Sequence, residues 1–141
     1  MKHLLLLTLS CLFILSCSQD DTLSSDEYPQ KWKLVKMTGS MDSSETTDED
    51  MSWQEYYLLY KDNSFLKSRE QNGEKTQANG TYQIINKSDA KYLVLIYKSE
   101  HNIIGNCSSK AEENLVLASK NKIISTWQSC DGPRLEYKRV E

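Results

Sequence analysis

The chain predicts an all-β domain, a small antiparallel up-and-down β-barrel of about eight strands. Three observations carry this. Short apolar–polar runs of strand length recur along the second half and much of the first. Tight polar turns separate them, at Lys61-Asp62-Asn63, Gln71-Asn72-Gly73, Asn86-Lys87-Ser88-Asp89, Lys120-Asn121 and Asp131-Gly132-Pro133. The aromatic content is mainly tyrosine, eight residues against three Trp and two Phe, which suits a pleated surface better than a helix.

The elements follow in order. Trp32–Met37 reads as a first strand, with Trp32, Leu34 and Lys36 on one face. Thr38–Ser52 is long, acidic and hydrophilic, and is expected to be a mobile loop or lid. Trp53–Tyr60, Ser64–Arg69, Ala78–Asn86 and Lys91–Lys98 read as successive strands, the last apolar on both faces as a doubly covered strand would be. Asn102–Cys107 and Asn114–Ala118 are shorter candidates. Lys122–Trp127 and Arg134–Val140 complete the set. Nearly all these strands are neighbours in sequence, as an up-and-down barrel requires.

The N-terminus reads differently. Met1-Lys2-His3 is a short cationic start, and Leu4–Ser16 carries no charge. A spanning helix needs about 20 apolar residues, so this run fits the apolar region of an export signal instead. Ile14-Leu15-Ser16-Cys17 resembles the lipobox of bacterial lipoproteins. That resemblance implies a signal peptide over residues 1–16, a mature chain starting at Cys17 with diacylglycerol on its sulfur, and a tether over residues 17–29. Two or three acyl chains, at about 0.8 kcal/mol per buried methylene, hold a protein on a membrane almost permanently. The run Cys17-Ser18-Gln19-Asp20-Asp21 resembles the surface-export signal of Bacteroidetes lipoproteins, and is equally readable as a plain soluble tether. The expected location is the bacterial outer membrane, on its periplasmic face or on the cell surface.

Residues 30–141 then resemble the lipocalin-like lipoproteins of Bacteroidetes. The resemblance rests on Lys31-Trp32-Lys33-Leu34, Tyr60-Lys61-Asp62-Asn63-Ser64-Phe65, Gly80-Thr81-Tyr82 and Leu135-Glu136-Tyr137-Lys138-Arg139; the Gly that usually stands two residues before the Trp is replaced by Gln30. It implies a calycin-type barrel whose end is closed by a C-terminal basic side chain, Arg139, across the Trp32 ring. Such a cation–π contact is worth about 0.5–2 kcal/mol; the alternative is an Arg139 that points into solvent.

With Cys11 discarded in the leader and Cys17 lipidated, Cys107 and Cys130 remain, and outside the cytoplasm such a pair is expected as a disulfide. No C-x-x-C spacing favours a redox role, and one histidine in the mature chain, His101, is too few for a zinc site. No Ser lies in a G-x-S-x-G elbow, and no phosphate-binding glycine loop, dinucleotide fingerprint or EF-hand spacing is present. The carboxylate runs Asp48-Glu49-Asp50 and Glu112-Glu113 read as solvated loops, with weak calcium capture as the minor alternative. The expectation is therefore no enzyme, no cofactor and no metal. A formal net charge of −3 with no basic stripe argues against nucleic acid. Two functions remain: a binder of a small apolar ligand, with Tyr56, Tyr57, Tyr82, Tyr92 and Tyr97 lining a pocket gated by Thr38–Ser52, or an interaction or inhibitor module that meets an envelope protein through its loops. Those tyrosines serve equally as a packed core in a domain this small.

Overall fold

The computed structural model describes residues 27–39, 41 and 44–141; the expected signal peptide, Cys17 and nearly all of the expected tether lie outside them. Nine strands form one antiparallel sheet: β1 (Gln30–Thr38), β2 (Glu45–Thr47), β3 (Gln54–Leu59), β4 (Ser64–Gln71), β5 (Glu74–Asn86), β6 (Lys91–Tyr97), β7 (Glu112–Ser119), β8 (Lys122–Ser125) and β9 (Arg134–Val140). β9 pairs back onto β1 from Lys31↔Val140 to Thr38↔Arg134, so eight strands close into a barrel, and β2 is a short ribbon on the last residues of β1. The all-β, eight-stranded antiparallel barrel expected from the sequence is what forms. Among the described residues there are only two 3-10 turns, Asp48–Asp50 and Trp127–Cys130, and no α-helix.

Alternation puts one face of every strand inside. Trp32, Tyr57 and Lys67 are successive register partners around the wall, as are Leu93, Leu115 and Ser125, and Leu117, Ile123 and Tyr137. In β1 the alternation slips: a bulge between Leu34 and Lys36 places Met37 inside and turns Lys36 outward. The sequence reading put Lys36 on the Trp32 face because strict alternation has no way to foresee one extra residue. At Gly80 the β5 and β6 backbones come so close that a Cβ would stand 1.9 Å from the Ile96 carbonyl oxygen. Only glycine allows that approach.

The barrel has two distinct ends. Glu27–Pro29 enters at the proximal end, which also carries the turns at Tyr60–Asn63, Lys87–Ala90 and Lys120–Asn121 and the chain's last residues. The distal end carries the 39–53 segment, the β4–β5 hairpin tip and the 98–111 and 126–133 segments. At the hairpin tip Asn72 and Gly73 both take positive φ, as a two-residue hairpin turn needs.

Candidate functional site

The distal half of the interior is occupied by charge. Glu55 on β3, Lys67 and Arg69 on β4 and Glu113 on β7 all face inward and are at most 8% exposed. Lys67 Nζ lies 2.6 Å from Glu113 Oε1 and 3.2 Å from Glu55 Oε1, and Arg69 Nε lies 2.5 Å from Glu55 Oε2. Two cations meet two anions, so the cluster is neutral. Three tyrosines complete it: Tyr57 and Tyr97 donate to Glu113 Oε2 at 2.7 and 2.5 Å, and Tyr137 donates to Glu55 Oε1 at 2.6 Å. Burial, and then the nearby carboxylates, push all three phenols well above their ordinary range. They therefore remain protonated donors across any physiological pH.

The same cluster fastens a plug. The Ile103 carbonyl accepts from Lys67 Nζ at 2.7 Å and from Arg69 Nη2 at 3.3 Å, while the Gly105 N–H donates to Glu113 Oε1. Ile103 is only 3% exposed. The run Asn102–Cys107, read from sequence as a short strand, is thus an irregular plug across the distal mouth, because its polar backbone bonds to side chains inside the barrel rather than to a neighbouring strand. His101 sits at its start, half-buried, with Nδ1 accepting from the Ile103 N–H at 3.4 Å. Cys107 and Cys130 form the expected disulfide, with Cα atoms 5.5 Å apart, and it ties the plug to the second 3-10 turn. Trp127 fills the space between: a Cβ on Gly105 or on Gly132 would fall within 2.8 or 2.4 Å of its ring.

Glu113 corrects the sequence reading, which placed it in a solvated acidic loop; β7 carries it inside on the same face as Leu115. The 39–53 segment is also more firmly held than a free lid. β2 pairs with β1, Lys36 lies 3.1 Å from Glu45, and Met51 is buried in the core.

The five tyrosines do not converge. Tyr57, Tyr82 and Tyr97 point inside, but Tyr82 lies near the proximal end, where its hydroxyl donates to the Tyr60 carbonyl at 2.9 Å. Tyr56 and Tyr92 sit on the outer wall, beneath Lys31 at 4.8 Å and Lys87 at 4.5 Å. Trp32 is fully buried, and Arg139 is its register partner across β1 and β9, on the same inner face at the proximal mouth. An open concavity of about 590 Å³ forms a distal groove between the first 3-10 turn and the β4–β5 tip. Trp53 lines it and stacks on the Arg69 guanidinium at 4.2 Å.

The outer wall holds the other unusual feature. Ile85, Tyr92, Val116 and Ile124 are successive cross-strand partners over β5–β8, so they form one continuous apolar row. Along β6 the same outer face carries Val94, which its neighbours leave only 4% exposed, and Ile96, which is 44% exposed. The row ends at an ionic cluster in which Glu136 meets Lys122 at 2.6 Å, Arg134 at 3.1 Å and Lys36 at 3.5 Å. β6 was expected to be covered on both faces; Leu93, Leu95 and Tyr97 are buried on the inner face and Val94 on the outer one, while Ile96 on the outer face is exposed. Among the described residues no group of His, Cys, Asp or Glu is arranged to hold a metal ion. Comparison with protein-family models, with curated proteins and with solved structures finds no match for the chain.

Proposed function

We propose that the protein is a lipid-anchored, non-enzymatic envelope module that binds a protein partner through the outer wall of its barrel. One observation carries this reading: the outward-facing apolar row Ile85–Tyr92–Val116–Ile124, half-buried along its length, beside Ile96, which is 44% exposed. Outward-facing barrel positions are ordinarily polar, and contiguous exposed apolar surface marks an interaction site. The competing reading, a small apolar ligand held inside, has less room. A barrel of about eight strands either holds one small ligand or is filled by side chains. Here Trp32 and Phe65 fill the interior toward the proximal end, and the ionic cluster with Tyr57, Tyr97 and Tyr137, together with the plug, fills the distal half. The anchor at Cys17 rests on the lipobox-like Ile14-Leu15-Ser16-Cys17.

The test is a photo-crosslinking amino acid at Ile96 in cells that make the protein natively, with Gln77 on the outer wall of β5 as the control position. A discrete protein adduct at position 96 and none at 77 is the expected result. Native mass spectrometry on the same membranes covers the rival: a small molecule retained with no adduct at 96 would overturn the proposal.

A further inference from the structure

The two ends of the barrel carry opposite charge, and the tether leaves from the basic one. At the proximal end Lys61, Lys87, Lys120 and Lys138 are exposed, with Lys91 and Arg139 partly covered beside them. Among the described residues they outnumber the acids there, Glu27, Asp62, Asp89 and Glu141. Asp62 and Asp89 are each engaged locally, by Ser64 and by the Tyr92 hydroxyl. The distal end is acidic: Glu45, Asp48, Glu49, Asp50, Glu70 and Glu74 are all exposed there. Glu27, Pro29, Asn121, Arg139 and Glu141 line one surface concavity, so the tether leaves the barrel at this end, beside Arg139.

From this we infer that the proximal turns form a docking surface for anionic lipid headgroups, and that the barrel stands on the membrane with its acidic end outward. The inference rests on the lipid anchor proposed above. Nine residues lie between Cys17 and Glu27, ten Cα–Cα steps that span at most about 35 Å fully extended. An anchored barrel is therefore confined within a few Debye lengths of the headgroups, where its charge asymmetry acts as a torque. Lysines near an anionic surface are attracted, and the acidic end is repelled. The apolar row of β5–β8 then runs up the side of the standing barrel, where a neighbouring protein can reach it.

The experiment is amine acetylation footprinting of the full mature protein reconstituted in vesicles of phosphatidylcholine alone, or of phosphatidylcholine with phosphatidylglycerol. In the anionic vesicles Lys61, Lys87 and Lys120 should label about fivefold more slowly than in the neutral ones, an effect lost in high salt, while distal Lys75 and Lys110 label equally in both. Replacing Lys61 and Lys120 by Glu should abolish the difference at Lys87 without changing the thermal midpoint. Equal labelling of both ends in both vesicles overturns the inference. A mature protein whose mass lacks the diacylglyceryl group overturns the anchor instead. In that event the unlipidated protein added to the same vesicles still reports on the basic face, since protection of its proximal lysines supports the surface and its absence refutes it.

Discussion

Replacing Lys67 by Met tests whether the buried ionic cluster holds the barrel together. Methionine keeps most of the volume and removes only the ammonium. The change strips a donor from Glu113 at 2.6 Å, from Glu55 at 3.2 Å and from the Ile103 carbonyl at 2.7 Å. Arg69 still serves Glu55 and Ile103, so Glu113 loses the most. Removing one partner of a buried ion pair costs about 3–5 kcal/mol, because the remaining charge stays desolvated. That is a large share of the roughly 5–15 kcal/mol that stabilises a typical domain. At roughly 4 °C per kcal/mol the midpoint should fall by about 12–20 °C. Urea unfolding followed by far-ultraviolet circular dichroism measures the loss directly. A double-mutant cycle with Glu113→Gln isolates the pair, with an expected coupling above about 1.5 kcal/mol. A Lys67→Met variant within about 1 kcal/mol of the parent would refute the reasoning, since that is the scale of a surface ion pair.

Three further outcomes are expected. Converting Cys107 and Cys130 to Ser should lower stability by about 3 kcal/mol on the chain-entropy model, and amide exchange should show the plug around Ile103 opening before the barrel does. Gly80→Ala should cost about 3 kcal/mol, measured by thermal melting, because a Cβ 1.9 Å from the Ile96 oxygen forces β5 and β6 apart. Burial tends to raise the Glu136 carboxyl, but hydrogen bonds from Lys122 and Arg134 and the charges of Lys122 and Lys36 outweigh it, so its folded value lies below the ordinary one. Its stabilisation is therefore present above the ordinary carboxylate value and is lost as pH falls through the folded one. Glu136→Gln should accordingly flatten the decline of the melting temperature between about pH 5 and pH 3 while lowering it at pH 7.

The wall of the barrel was legible in the sequence because its signals are local. Alternation and turn residues depend on neighbours a few positions apart, and they placed strands near every one that forms the barrel. The charged interior was also written there, in Glu55-x-Tyr57-x-Leu59, Phe65-x-Lys67-x-Arg69 and Glu113-x-Leu115, where period two sets each charge on the apolar face. A lone charge on such a face reads as an error in register; three strands doing so with compensating sign is a network. What no local pattern reveals is the pairing itself, since Glu113 lies 46 residues from Lys67 and 56 from Tyr57. The outer row is likewise split among β5–β8, so Ile85 and Ile124 look unremarkable until the register joins them.

A buried ion pair can often be replaced by hydrocarbon of equal volume at little cost, but this cluster differs in what depends on it. Apolar replacement of its four charged residues would strand the hydroxyls of Tyr57, Tyr97 and Tyr137, the Ile103 carbonyl and the Gly105 N–H inside the barrel. Each unsatisfied group costs about 1–3 kcal/mol. The plug contributes two of those groups as backbone, so no side-chain change removes them. The charges are thus the means by which an irregular segment closes the distal mouth without leaving its peptide groups unpaired. A barrel sealed this way has its interior committed to structure, and on the function proposed above recognition would fall to what the outer wall and the two charged ends present.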